Sequence, residues 1–229
     1  MVTAIIVAAG VGQRMEKEIP KQYLGIINKP LLFYTLDKIA LCPKIDEIIV
    51  VVSEDRISYC QKEIVEKYKI SKVKEIVKGG KERQDSVYLG LKKVSPSTEL
   101  VLIHDGVRPL ITNVLLEEVI LRTMDEDAVV VGKLIRDTMV LKGKSYYIEK
   151  TLERKNVYTL ETPQCFKYDL IKQAYQKAYQ DNFYGTDDTS LVVRIGKKVA
   201  IIENNQVNIK VTYPQDLLLV EYLLLRDKI

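Results

Sequence analysis

The strongest chemical signal in the chain is a glycine loop with cations close to it. Ala8-Ala9-Gly10-Val11-Gly12-Gln13-Arg14-Met15 follows directly on an apolar run, Val2–Ala8. Glycines at such a point let the backbone approach a phosphate closely, and free N–H groups supply donors. No Gly-Lys-Ser/Thr follows, so this is not a Walker A loop. It is also a poor dinucleotide fingerprint. Met15 stands where the third small residue belongs, and the acids after the second strand, Ser53-Glu54-Asp55, come too late to hold a ribose. What sets the loop apart is Arg14 within it and Lys21 in Pro20-Lys21-Gln22 just beyond. Two cations beside a phosphate loop point to triphosphate chemistry. The alternative is an ordinary βα turn with solvated charges.

Other chemistries are narrowed by what is scarce. His104 is the one histidine, which excludes histidine-rich metal sites and leaves any Ser-His or Cys-His mechanism dependent on that residue. Cys42, Cys60 and Cys165 are widely spaced with no CxxC pair, so a reducing, cytoplasmic setting is expected rather than a disulfide framework. Lys and Arg number 35 against 31 Asp and Glu, a formal charge of +4. That is too mild for a nucleic-acid or membrane surface and compatible with a local basic pocket for a small anion. No run approaches the ~20 apolar residues of a bilayer span. The N-terminus lacks a basic leader and reads as a core strand.

The elements that must carry these residues follow from periodicity. Val2–Ala8, Glu47–Val52, Leu100–His104 and Ala128–Val131 are short apolar runs expected as buried strands. Helical stretches lie between them at Pro30–Ala40, Asp55–Tyr68, Glu82–Val94 and Asn113–Met124, with Thr112 as a start signal for the last. This alternation predicts an α/β fold: an open, mostly parallel, doubly wound (Rossmann-like) sheet. The pattern breaks near Arg136. Thr138–Leu152 reads as two short strands around Lys142-Gly143-Lys144. Such a hairpin has nowhere to pack on its own sheet and is marginal alone, so it is expected to be an arm that grips a partner subunit. Helices are expected again near Tyr168–Tyr179, Asp187–Ile195 and Pro214–Arg226. One domain over residues 1–229, with an arm inserted at approximately 137–157, is the organisation expected.

Several further stretches occur in order along nearly the whole chain. They are Pro20-Lys21-Gln22-Tyr23-Leu24, Gly79-Gly80-Lys81-Glu82-Arg83-Gln84-Asp85-Ser86, His104-Asp105-Gly106-Val107-Arg108-Pro109, Arg136-Asp137-Thr138 and Thr151-Leu152-Glu153-Arg154. Thr162-Pro163-Gln164, Thr186-Asp187-Asp188-Thr189-Ser190 and Asn208-Ile209-Lys210-Val211-Thr212 complete the set. Together with the glycine loop they resemble the 2-C-methyl-D-erythritol 4-phosphate cytidylyltransferases, within the glycosyltransferase-A-like nucleotidyltransferase fold.

The resemblance implies that a polyol phosphate attacks the α-phosphate of CTP and expels pyrophosphate, with Mg²⁺ as cofactor. A phosphate monoester has its second pKa near ~6, so the nucleophile is already largely dianionic and needs no base. The barrier is charge repulsion, relieved by cations and positioning. The resemblance casts Arg14, Lys21 and Lys210 as catalytic. It assigns Ala8, Ala9, Gly10, Gly12, Gly79, Gly80 and Ser86 to the nucleotide. Asp105, Arg108, Thr138, Arg154, Thr162 and Thr186 are assigned to the second substrate, Thr138 and Arg154 reaching it across a homodimer. Asp105 is also the expected metal ligand, with Mg²⁺ held mainly by the CTP phosphates. His104 is expected to be structural and Cys165 to belong to the core. Two positions depart from the family pattern: Lys81 replaces an acid, and Gln206-Val207 stand where an acid often precedes Asn-Ile-Lys, so no metal ligand is expected there. A ribitol-5-phosphate cytidylyltransferase is the nearest rival. His104-Asp105-Gly106 and Thr186-Asp187-Asp188-Thr189 favour methylerythritol phosphate. A nicotinamide dehydrogenase is disfavoured by the missing third glycine and ribose acid.

Overall fold

The computed structural model describes residues 1–10 and 19–226. β1 (Val2–Ala8) leads, through two short paired strands β2 (Gly25–Ile26) and β3 (Lys29–Pro30), into α1 (Leu31–Leu41). β4 (Glu47–Val52), α2 (Ile57–Tyr59), β5 (Val73–Lys78), α3 (Arg83–Leu91), β6 (Leu100–Asp105), α4 (Asn113–Glu126) and β7 (Ala128–Leu134) follow. A separate hairpin of β8 (Val140–Lys142) and β9 (Ile148–Thr151) interrupts the alternation. β10 (Tyr158–Lys167), α5 (Tyr168–Gln180), α6 (Asp188–Arg194), β11 (Ala200–Glu203) and α7 (Pro214–Arg226) complete the described chain.

Seven strands form the main sheet in the order β11-β7-β10-β6-β1-β4-β5. Every pairing is parallel except those of β10, which runs antiparallel to both β6 and β7. The sheet is thus mixed and mostly parallel, as expected, with one reversed strand that the sequence pattern did not show. The central strands bury both faces, as parallel strands covered by helices must. Along β1, Ala4 and Ile6 pack with α1 and α4 on one side, and Ile5 packs with α3 and α5 on the other. Burying each of the two isoleucines contributes ~1.5–3 kcal/mol.

Local signals account for the boundaries. Thr112 accepts the Leu115 N–H at 3.3 Å and starts α4. Asp187 and Ser190 form a reciprocal cap on α6, and Glu82 and Asp85 do the same on α3. The helix expected over 55–68 is instead a 3-10 turn (Glu54–Arg56), α2 and a π-helix (Cys60–Glu66) in succession. The wider π turn puts Cys60, Ile64 and Val65 together on the buried side. β10 is irregular too. Leu160 faces Gly132 of β7 and Gln164 faces Val130, so Glu161, Thr162 and Pro163 stand against the single residue Val131.

Candidate active site

The chain runs β1 to β4 to β5 in one direction, then returns to place β6 on the other side of β1. That reversal opens a crevice at the carboxyl ends of the strands, where open α/β sheets bind ligands. A cavity of about 620 Å³ lies there. Ala8 at the end of β1 with Ala9 and Gly10 just beyond it, Lys21 on the following 3-10 turn, Gly80 after β5, Ser86 in α3, Asp105 at the end of β6 and Lys210 all line it. Gly12 and Arg14 lie outside the described residues.

Backbone economy shapes the side of the cavity formed by the loops after β1 and β5. The buried Gln22 amide donates to the Ala8 carbonyl at 2.7 Å and the Gly10 carbonyl at 3.0 Å, fixing the exit of β1. A Cβ at Gly79 would stand 2.3 Å from the Ala9 Cβ, and one at Gly80 2.3 Å from the Asp85 Cβ. No side chain fits in either place, so the two glycines let the loop lie against both β1 and α3. Ser86 Oγ accepts from the Gly80 N–H and donates to the Glu82 carbonyl, each at 3.1 Å. The serine folds the loop onto the first turn of α3. Asp85 receives the hydroxyls of Tyr179 at 2.6 Å and Tyr184 at 3.0 Å, anchoring the same turn to α5 and the segment after it.

Charge concentrates at the end of β6. Asp105 is buried, and its carboxylate meets Lys210 Nζ at 2.9 Å, Arg83 Nε at 3.2 Å and Arg108 Nε at 3.5 Å. Burial alone would raise its pKa, but Arg83, Lys210 and Arg108 outweigh it and hold the carboxyl well below the usual range. Arg83 reaches on to Asp188 at 2.8 Å, and Asp188 accepts the Tyr175 hydroxyl at 2.5 Å. Lys81 adds a further cation to the cavity wall.

Lys210 sits on a loop without regular structure, and its fixation is polar. Glu161 accepts from the side-chain amides of Asn204 and Asn208, each at 3.0 Å. Asn208 also donates to the Thr162 carbonyl at 2.8 Å, and its own carbonyl accepts from Arg108 Nη1 at 2.6 Å. Thr162 Oγ1 accepts the Asp105 N–H at 3.1 Å. Arg108 and Thr162 therefore stand behind Asp105, where they hold the loop and the carboxylate together. Thr186 is exposed, just ahead of the α6 cap, and does not line the cavity. Thr138 and Arg154 are exposed near the hairpin and do not line it either; Arg154 donates to the Arg136 carbonyl at 3.0 Å.

His104 is fully buried, its Nε2 donating to the Arg108 carbonyl at 3.2 Å, and burial pushes its pKa down to about 4. It is neutral at pH 7 and faces the interior. Cys165 is likewise buried, with its thiol pushed up to about 12. Sequence reasoning passed over Arg83, Gln22 and Asp188 as site residues. All three stand inside motifs already singled out, and that context was the available signal. Among the described residues no group of three or more His, Cys, Asp or Glu is placed to hold a metal. No helix among them is long and apolar enough to cross a membrane.

Comparison with known proteins shows the family. A family model described as 2-C-methyl-D-erythritol 4-phosphate cytidylyltransferase matches residues 2–226. The chain is 46% identical over 222 residues to the protein of that name from Clostridium botulinum (strain Okra / Type B1), covering 97% of this chain and 96% of the relative. It is 44% identical over 226 residues to the one from Clostridium acetobutylicum, covering 99% and 98%. Among solved structures it resembles a 4-diphosphocytidyl-2C-methyl-D-erythritol synthase from Anaerococcus prevotii, with a TM-score of 0.87, 34% identity and coverage of 97% and 95%.

Proposed function

Because the chain belongs to the 2-C-methyl-D-erythritol 4-phosphate cytidylyltransferase family, we infer that the cavity at the ends of β1, β5 and β6 is where the cytidylyl group is transferred. The enzyme is a nucleotidyltransferase of isoprenoid biosynthesis. It joins 2-C-methyl-D-erythritol 4-phosphate to the CMP moiety of CTP. An oxygen of the acceptor phosphate forms a bond to the α-phosphorus, the bond to the bridging oxygen breaks, and pyrophosphate leaves.

The observation that carries the assignment of roles is the ring of cations around one ionised, buried carboxylate at the strand ends. A dianionic acceptor attacking a triphosphate needs positive charge and alignment more than a base. Lys21 and Lys210 supply that charge in the cavity, with Arg14 as the third cation of the proposal. A buried, neutral His104 suits a reaction without general base catalysis. The Gly79-Gly80 turn, closed by Ser86, is proposed to present backbone groups to the cytosine. Ala8, Ala9, Gly10 and Gly12 are proposed to take the phosphates. Asp105, backed by Arg108 and Thr162, is proposed to hold the acceptor's hydroxyls, with Thr186 nearby on the α6 side.

Magnesium fits this site in a limited way. Among the described residues the cavity is lined by two carboxylates, Asp105 and Glu82, of which Asp105 is buried and held ionised by its cations; that would suit an ion bound chiefly by the triphosphate rather than by a protein cage. Such an ion supplies neutralisation of phosphate charge.

The remaining roles require a second subunit. The hairpin exposes Tyr146 (86%), Tyr147 (77%) and Ile148 (68%). These apolar side chains support its role as a dimerisation arm within a single domain spanning 1–229, inserted at about 137–157. Thr138 and Arg154 would then reach the partner's acceptor phosphate, where arginine binds in bidentate fashion. The three unbridged cysteines support a cytoplasmic setting.

A pyrophosphate-release assay tests the reading by crossing CTP, UTP, ATP and GTP with methylerythritol phosphate and ribitol phosphate in the presence of Mg²⁺. Release is expected with CTP and methylerythritol phosphate. Turnover confined to ribitol phosphate or to another nucleotide would overturn it.

A further inference from the structure

We propose that Arg83, braced by Asp188 and Tyr175, is a positioning residue that keeps the Asp105 carboxylate aimed into the cavity while Lys210 is engaged with phosphate. The proposal rests on the reading of Asp105 as the group that holds the acceptor.

The two oxygens of Asp105 have different partners. Oδ2 meets Lys210 Nζ at 2.9 Å and Arg108 Nε at 3.5 Å, whereas Oδ1 meets Arg83 Nε at 3.2 Å. Arg108 makes its short hydrogen bond elsewhere, to the Asn208 carbonyl at 2.6 Å. Once Lys210 turns to the phosphates, Arg83 is the nearest cation left to a carboxylate that stays buried. A buried carboxylate deprived of a cation is costly and free to reorient.

Arg83 itself lines the same cavity and could be mistaken for another phosphate ligand. Its second attachment argues against that role. Nη1 donates to Asp188 Oδ2 at 2.8 Å, and Asp188 is 1% exposed. The other oxygen of Asp188 accepts the Tyr175 hydroxyl at 2.5 Å. Tyr175 is fully buried and its ring stacks on Tyr88 at 5.9 Å. The guanidinium is therefore clamped between two carboxylates, one at the end of β6 and one at the start of α6, while its own backbone opens α3. A planar fork can serve both at fixed geometry; a lysine ammonium in its place could not.

The test compares acceptor use with nucleotide binding. Arg83→Gln is expected to lower kcat/KM for methylerythritol phosphate on the order of 10²-fold while the calorimetric Kd for CTP stays within ~3-fold. Arg83→Lys should recover only part of the loss. Asp188→Asn should cost about tenfold in kcat/KM, and the Arg83→Gln/Asp188→Asn double variant should be no worse than Arg83→Gln alone, because Asp188 acts through Arg83. Multiplying effects, or a CTP Kd that weakens in parallel, would overturn the proposal. Asp105→Asn separates it from its premise. If that change leaves acceptor use intact, the reading of Asp105 fails; if it abolishes acceptor use while Arg83→Gln does not, the brace alone is wrong. Should Arg83→Gln not fold, Tyr175→Phe, which removes one hydroxyl, must still raise KM for the acceptor a few-fold with CTP binding unchanged, and no change overturns the proposal.

Discussion

The cavity floor and the hairpin arm are built on opposite principles. At the floor, Asp105 and Asp188 are buried, and each is met by at least two side chains from other elements of the same chain. In the arm, every residue of β8 and β9 is exposed, and the two strands pair only with each other. A two-stranded ribbon is marginal by itself, whereas a buried ionic cluster is costly unless complete. The difference teaches where each half of the site gets its geometry. On the proposed reading the nucleotide half is set within one chain, and the half assigned to Thr138 and Arg154 would take its geometry from the partner that the arm packs against.

The floor can be broken most sharply at its reactive edge. Lys21→Ala is expected to lower kcat by ~10²–10³-fold, with a much smaller rise in KM for methylerythritol phosphate, because its ammonium is proposed to meet charge that develops in the transition state. Steady-state kinetics checks this, and a rate within a few-fold of wild type would make Lys21 structural. The arm is tested by mixing. If the arm forms a homodimer as proposed, Lys21→Ala dimers and Arg154→Ala dimers should each be nearly inactive. Unfolded and refolded together, they should recover about a quarter of wild-type activity per site, since half of random pairs are heterodimers with one intact site of two. No recovery, with heterodimers shown to have formed, would mean that Arg154 serves its own subunit and that the contrast between the two regions is wrong.

The smallest effect on activity is expected at His104. Its pKa falls from an ordinary 6.5 to about 4 on burial, so the unfolded chain binds the proton more readily than the folded one. Stability from this group is complete above pH 6.5 and declines as pH falls towards 4, by roughly 3 kcal/mol over that window. Urea midpoints measured from pH 7 to pH 4 should show the decline, and His104→Gln should flatten it while changing kcat only a few-fold. A rate loss as large as that of Lys21→Ala would contradict a mechanism without a base.

Legibility in the sequence followed the same divide between local and assembled features. β1, β4 and the start of β6 were readable because both of their faces are apolar, and α4 because Thr112 caps it. β5 and β11 were not, since they are the sheet edges and alternate little. β10 was missed because it begins exposed, ends buried and carries Pro163, so no single period runs through it. Gly80, Lys21, Asp105 and Lys210 stood in motifs and fell together in one cavity, with Gly79 packed beside it against Ala9. Arg83 and Asp188 lie 105 positions apart, and only the folded chain shows that they pair.

The irregular stretch of β10 has a consequence for how this protein could be stabilised. Removing the surplus residues opposite Val131 would complete the ladder with β7 and give a more regular sheet. It would also remove or displace Glu161 and the Thr162 carbonyl, the groups that seat Asn204 and Asn208 and through them the loop bearing Lys210. Selection for thermal tolerance alone would favour the straight strand, and selection for turnover would favour the kink. Consensus or design procedures that idealise sheets should therefore leave residues 160–164 untouched, because the defect seats the loop that is proposed to work on phosphate.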